Sequence, residues 1–183
     1  MKKKFGIIIL GIAMVLTLAM SGCGVSHKTP EGIVESLIEE YVDGNESKVK
    51  ECYGQKKDTD ELLQKEIDAT LKYFKAHNAG SVKVVECGVL SENENYTYVY
   101  IIYNLVLEDE QEYPMLGTYM VEKKKKSYYV MSPSDITEEI SGQASKDYAE
   151  FMKTDSYKDY TDAYNTFIEK NPGYEEKLAN KVN

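Results

Sequence analysis

His77 is the side chain in this sequence best suited to acid–base chemistry, because it is the only histidine between residues 29 and 183. An imidazole titrates near neutral pH and can serve as a general base. The acids available to assist it are Glu66 and Asp68, on the polar side of the same predicted helix, and Glu86, the one candidate for an inward strand position. His77 also lies at the predicted helix end, where a histidine interacts favourably with the last carbonyls. His77 is therefore the one candidate for a general base if the protein is an enzyme. We expect, however, that the protein does not catalyse a reaction.

Tyrosines concentrated in residues 96–103 offer a second kind of chemistry, a binding surface. Alternate side chains of a strand point to opposite faces, so Tyr98 and Tyr100 share one face. Tyr119 and Tyr128, on the strands predicted to follow, are candidates to extend the same lining. A tyrosine supplies a rigid apolar ring and a hydroxyl that orients a ligand. The competing interpretation, which we favour, is cross-strand packing on a half-exposed sheet face.

The first 23 residues have the order of an export signal. A basic run at residues 1–4 precedes an uncharged apolar stretch at residues 5–20, which is followed by Ser21, Gly22 and Cys23. The apolar stretch is shorter than the ~20 residues that a helix needs to cross a bilayer. The ending resembles the lipobox of bacterial lipoproteins, although leucine is commoner there than Met20. The resemblance implies that residues 1–22 are removed and that the Cys23 thiol receives a diacylglyceryl group.

A lipidated Cys23 predicts a protein held on the extracytoplasmic face of the cell membrane, because two acyl chains anchor stably where one is marginal. Loss of residues 1–22 removes three lysines and no acids, so the formal net charge changes from -9 to -12. An acidic chain is a poor candidate for nucleic acid, whose phosphates require clustered cations. The sequence has no Cys-x-x-Cys pair and two histidines. We therefore expect no metal site and no cofactor.

The two cysteines that remain, Cys52 and Cys87, allow two interpretations. Disulfides persist outside the cytoplasm, so an exported chain can join them. Free cysteines are also common as small buried apolar residues. The sequence does not place their Cα atoms, and both alternatives stay open.

Hydrophobic periodicity predicts three helices, four strands and a helical tail. The first helix has Thr29 as its N-cap and Pro30 at its first position, and it stops at Gly44. A short helix follows at residues 46–53, and a third begins near Asp58 or Asp60 and ends before Gly80. The period then changes to two over strands at residues 82–90, 96–107, 113–122 and 127–132. From residue 133 the pattern is helical again, with a last helix at residues 175–182.

This order of elements resembles the nuclear-transport-factor-2-like, or cystatin-like, cone fold. The resemblance covers residues 29–132 and rests on a first helix ending in Tyr41-Val42-Asp43-Gly44-Asn45, a short second helix to Tyr53, a third helix and a meander. It is a fold found in exported lipoproteins of low-GC Gram-positive bacteria. The resemblance implies a bent sheet around the first helix, with a cavity at its wide end. Such folds include both enzymes and binding modules, so the fold does not determine the function.

We thus expect a signal peptide at residues 1–22, a lipidated tether at 23–28, a cone-like domain at 29–132 and a helical C-terminal extension at 133–183. The fold class is α+β, with N-terminal helices packed on a curved antiparallel meander sheet. The expected function is a non-catalytic binding or protein-interaction module. The alternatives are a small-molecule binder with a tyrosine-lined cavity and an isomerase- or dehydratase-type enzyme. The partner is a protein, a small ligand or a second copy of the chain, and the extension either packs on the domain or is offered to that partner.

Overall fold

A computed structural model describes residues 24–55 and 59–182 of the chain. The predicted signal peptide and Cys23 lie outside the described residues. Over those residues the chain forms an α+β fold, with helices packed on a curved, open antiparallel sheet. The elements are α1 (Pro30–Val42), α2 (Glu46–Cys52), α3 (Glu61–His77), β1 (Ala79–Glu92), β2 (Thr97–Leu107), β3 (Glu112–Lys124), β4 (Ser127–Val130), a 3-10 turn (Pro133–Asp135), α4 (Glu138–Phe151), α5 (Asp155–Lys170) and α6 (Tyr174–Val182).

The helix ends follow the capping residues of the sequence. The Thr29 hydroxyl accepts a hydrogen bond from the Gly32 amide at the start of α1, as predicted. Gly44 has a φ of 69° just beyond the end of that helix, where a residue with a side chain would be strained. Asp60 caps α3 by accepting from the Leu63 amide, and Asn78 ends that helix in the left-handed conformation.

The sheet is a meander in the order β1-β2-β3-β4, and its two faces have different roles. We call the face that packs on α1 the inner face. It carries Val99, Ile101 and Leu105 of β2, which are fully buried in the main core. Alternation along the strand places Tyr98 and Tyr100 on the opposite, outer face.

The C-terminal extension packs back on the domain and contributes to both faces. On the outer face, Ile140, Ala144 and Tyr148 of α4 pack against a small buried cluster that contains Tyr98. Further along, Phe167 of α5 belongs to the main core, and α6 packs against α3. Residues 133–182 therefore contribute to the hydrophobic core, and of the two alternatives for the extension the structure has the one in which it packs on the domain.

The segment before α1 is part of the folded domain, in contrast to the tether expected at residues 23–28. Val25 packs against the main core, and the Ser26 amide donates to the Ser36 hydroxyl. His27 accepts a backbone hydrogen bond from Tyr128 of β4 at 3.0 Å, and its ring packs on Tyr129. These contacts bind residues 25–27 along the free edge of β4.

Candidate functional site

The four tyrosines predicted to line one cavity are divided between the two faces of the sheet. Tyr98 and Tyr100 lie on the outer face. The Tyr98 hydroxyl donates to Thr118 on β3. Tyr100 donates to the Glu86 carboxylate, and its ring packs on Phe151 of α4 at a centroid distance of 4.5 Å.

Tyr119 and Tyr128 lie on the inner face. Tyr119 pairs with the fully buried Val99, and both tyrosines pack against the main core. The Tyr128 ring also has the Lys123 ammonium 5.1 Å from its centroid. The four candidate tyrosines therefore do not form one lining, because the register between β2 and β3 places Tyr119 opposite Val99 rather than beside Tyr98.

The outer face holds a depression of about 300 Å³ between the sheet and α4. A second, more open depression of about 610 Å³ lies at the start of α4 and the segment before it. The two share Ser141 and Ser145, so one helix face borders both. The residues around the first depression are Tyr98, Thr118, Ser141, Ala144, Ser145 and Tyr148.

The chemistry of this first depression is polar and neutral. Two aromatic rings, Tyr98 and Tyr148, supply apolar area, and the hydroxyls of Thr118, Ser141 and Ser145 supply donors and acceptors. Among the described residues that border it there is no carboxylate or ammonium group, so it suits neutral polar groups. Sequence reasoning missed the α4 residues, and the signal available for them was the spacing of Ser141, Ala144 and Tyr148 on one helical face.

His77 lies elsewhere, sealed between α3, β3 and α6. Its side chain is 4% exposed, and its ring contacts Tyr73, Tyr113 and Tyr174. Nδ1 lies 2.9 Å from the Tyr174 hydroxyl, while Nε2 has no hydrogen-bond partner among the described residues. Burial lowers the pKa of His77 to about 4, so the ring is neutral at pH 7.

Glu175 joins the extension to the domain beside this histidine. Its carboxylate accepts hydrogen bonds from Tyr164 at 2.6 Å and from Tyr113 at 2.7 Å. The hydrogen bond from the Tyr164 hydroxyl, and to a smaller extent that from the Tyr113 hydroxyl, holds the pKa of Glu175 below its usual range. Burial and the hydrogen bond to Glu175 raise the pKa of Tyr113. The arrangement links α5, α6 and β3 and can lock the extension in place.

Glu86 does not face His77, which corrects the expectation of an inward position. The ladder between β1 and β2 shifts register between Val84 and Glu86. The extra residue, Val85, is 60% exposed, and the shift aligns Glu86 with Ile102 on the outer face. There Glu86 accepts hydrogen bonds from Tyr100 and Ser156. Glu66 and Asp68 are exposed on α3.

Cys52 and Cys87 are free thiols in this structure, so the disulfide alternative is not formed. Cys52 is fully buried in the main core, and burial raises the pKa of both thiols. Cys87 lies near the start of α1, with its Sγ 3.9 Å from the Glu31 carbonyl oxygen. Among charged groups, Glu40 in the last turn of that helix contributes most to raising the pKa of Cys52. About 13 Å of helix axis separates residues 31 and 40.

Clustered metal ligands and membrane-spanning helices would each indicate another class of protein, and both concern residues 24–55 and 59–182 here. No cluster of three or more histidine, cysteine or acidic side chains there could hold a metal ion. Within the same residues, no helix is both long and apolar enough to span a membrane. A scan of known protein families finds no match for the chain. No curated protein matches it significantly.

Proposed function

We propose that this chain is a lipid-anchored, extracytoplasmic module that binds a protein partner without catalysing a reaction. The proposed location rests on residues 1–23, whose basic, apolar and Ser-Gly-Cys segments fit a lipoprotein signal. The acidic charge of the remaining chain suits a domain in solvent beside the membrane. The proposal is compatible with the resemblance to the nuclear-transport-factor-2-like fold, which includes binding modules as well as enzymes.

The observation that carries the proposal is the filled interior of the sheet. Tyr103, Tyr113 and Phe167 are each at most 6% exposed, and α5 and α6 cover the inner face. An accessible concave surface lies outside, where the two depressions border α4. A filled interior with an open polar groove favours recognition of a surface over enclosure of a substrate.

The surroundings of His77 favour the same conclusion over an isomerase or dehydratase. A general base must come within hydrogen-bond distance of the proton that it removes. Tyr113 and Tyr174 cover the imidazole, and α6 would have to move before a substrate reached it. The nearest carboxylate, Glu175, is already engaged by two tyrosine hydroxyls.

One observation favours a second candidate function, the binding of a small neutral ligand. The depression of about 300 Å³ beside Tyr98 and Tyr148 is at the lower end of the range for ligand pockets. Its hydroxyl lining would orient a neutral polar molecule. This candidate retains one of the four tyrosines predicted for a cavity, Tyr98.

Site-specific crosslinking separates these possibilities. A benzophenone amino acid at Ser145, in the shared wall of the two depressions, is expected to give one discrete adduct with a membrane or wall protein in cells. The matched control is the same amino acid at Leu62, which is 54% exposed on α3. No adduct at residue 145, or equal adducts at both positions, would contradict the interaction module. Native mass spectrometry of the purified chain reports a bound small mass if the ligand binder is correct.

A further inference from the structure

The N-terminal segment fixes one edge of the domain close to the predicted anchor. His27 is hydrogen-bonded to Tyr128 of β4, and Val25 packs on the main core. Three residues lie between Cys23 and His27, so the two Cα atoms are four Cα–Cα steps and at most about 14 Å apart. A domain of this size is about 40 Å across. The β4 edge therefore lies on the side of the domain that faces the anchor.

The same edge ends in an exposed basic hairpin tip. Residues 123–126 are four consecutive exposed lysines, of which the first two end β3 and the last two form the turn to β4. Lys126 precedes Tyr128 by two residues, which is about 7 Å along a strand. Lys123 rests on the Tyr128 ring, and Lys124 pairs with Glu122.

The charge of this tip opposes that of the rest of the molecule. The chain after Gly22 has a formal net charge of -12, so an anionic bilayer repels most of its surface. The opposing acids are Glu122, which pairs with Lys124, then Glu51, beside His27, and Glu92 and Glu94 at the turn between β1 and β2. That turn is about two strand spacings, or roughly 10 Å, from the lysine tip. Screening over about 8–10 Å lets the tip act separately from it.

We propose that lysines 123–126 bind the anionic headgroups of the membrane and orient the domain with its β4 edge toward the bilayer. The proposal rests on the lipid anchor at Cys23 proposed above. The anchor brings the tip to the surface, and the lysines determine which way the domain tilts. Juxtamembrane basic clusters act on anionic lipid in this manner, and the attraction is lost within a Debye length.

Lysine acetylation footprinting tests the orientation without any amino-acid substitution. The full-length protein, purified from the membranes of an exporting host, is reconstituted in phosphatidylcholine vesicles with or without 30% phosphatidylglycerol. Intact mass reports whether Cys23 carries lipid, and peptide masses report the reactivity of each lysine. Lysines 123–126 are expected to become at least threefold less reactive on the anionic vesicles, and 0.5 M salt should restore their reactivity. Exposed Lys153, Lys158 and Lys177 on the extension serve as internal controls and should change by less than 1.5-fold.

The outcomes separate this inference from the function on which it rests. A lipidated Cys23 with unchanged or uniformly changed lysine reactivity overturns the orientation and leaves the anchor intact. An unmodified Cys23 overturns both. A triple variant, Lys124→Gln, Lys125→Gln and Lys126→Gln, should lose the protection of Lys123 on anionic vesicles, whereas Lys153→Gln, Lys158→Gln and Lys177→Gln should retain it. Protection of Lys123 in both variants would also contradict the proposal.

Discussion

The backbone N–H of Tyr128 donates a hydrogen bond to the carbonyl oxygen of His27 at 3.0 Å, which makes the residues before α1 part of the folded domain. The His27 imidazole reaches the same residue, with Nδ1 2.8 Å from the Tyr128 carbonyl oxygen. Between a lipidated Cys23 and the packed Val25 there is one residue, Gly24. A lipid at Cys23 would thus hold the domain close to the membrane, because the linker between them is one residue long.

Glu175 is expected to contribute to stability by joining the extension to the domain. Replacement Glu175→Gln removes the charge that strengthens two tyrosine hydrogen bonds, and it should lower the free energy of unfolding by about 1 kcal/mol. The matched control, Glu176→Gln, changes an exposed neighbour on the same helix and should stay within about 0.5 kcal/mol. Urea unfolding measures both, and equal values would argue against this link.

Phe167 tests whether the extension and the sheet share one core. The side chain is 6% exposed and packs edge-on against Tyr113 and Tyr174. Phe167→Ala should cost about 3–5 kcal/mol, because it leaves a cavity, and unfolding should remain a single transition. The exposed control Glu169→Ala on the same helix should have little effect. Two separate transitions in the wild-type protein would show that the extension is independent.

His77 predicts a loss of stability in mild acid. Burial lowers its pKa in the folded state to about 4 from 6.5. The unfolded chain therefore binds a proton at His77 near pH 6.5, whereas the folded protein binds it only near pH 4. The free energy of unfolding falls as the pH drops from about 6.5 to 4. Between pH 7.5 and 5 the expected loss is about 2 kcal/mol. In His77→Gln this part of the pH dependence should disappear, and an unchanged slope in denaturant titrations would refute the assignment.

Gly88 tests the packing of Tyr100 on the outer face. A Cβ atom at residue 88 would lie 2.9 Å from the Tyr100 ring, which Phe151 and Glu86 hold in place. Gly88→Ala should therefore destabilise the protein by about 1–2 kcal/mol relative to Gly80→Ala. Residue 80 is the matched control, because it lies in the same strand with no atom within 4 Å of the added carbon. Similar thermal stabilities for the two variants would contradict this packing.

Local signals in the sequence predicted the elements of the fold well. Thr29 and Asn78 mark helix ends through their own capping chemistry, and the change of period marks the start of the sheet. The relative placement of distant residues could not be predicted in the same way. The inner position of Tyr119 depends on the register between β2 and β3, and the outer position of Glu86 depends on the irregularity at Val85.

The contacts of the extension were equally beyond local reasoning. Glu175 meets Tyr113, which is 62 residues away along the chain. A stripe of aromatic residues on a helix predicts that this face is buried, but it does not predict which surface of the protein or of a partner buries it. The groove beside α4 was missed for the same reason, because its two walls come from separate parts of the sequence. The free state of Cys52 and Cys87 likewise depends on where α1 places their neighbours.

The mass of the N-terminal peptide from membrane-extracted protein is the decisive test of the lipid anchor. We predict that the mature chain begins at Cys23 and that this residue carries a diacylglyceryl group. A Cys23→Ser variant should lose that mass and leave the membrane fraction, while its denaturant midpoint measured in solution stays that of the folded domain. An unmodified Cys23, or a mature chain that begins at another residue, would contradict the anchor and with it the proposed location of the protein.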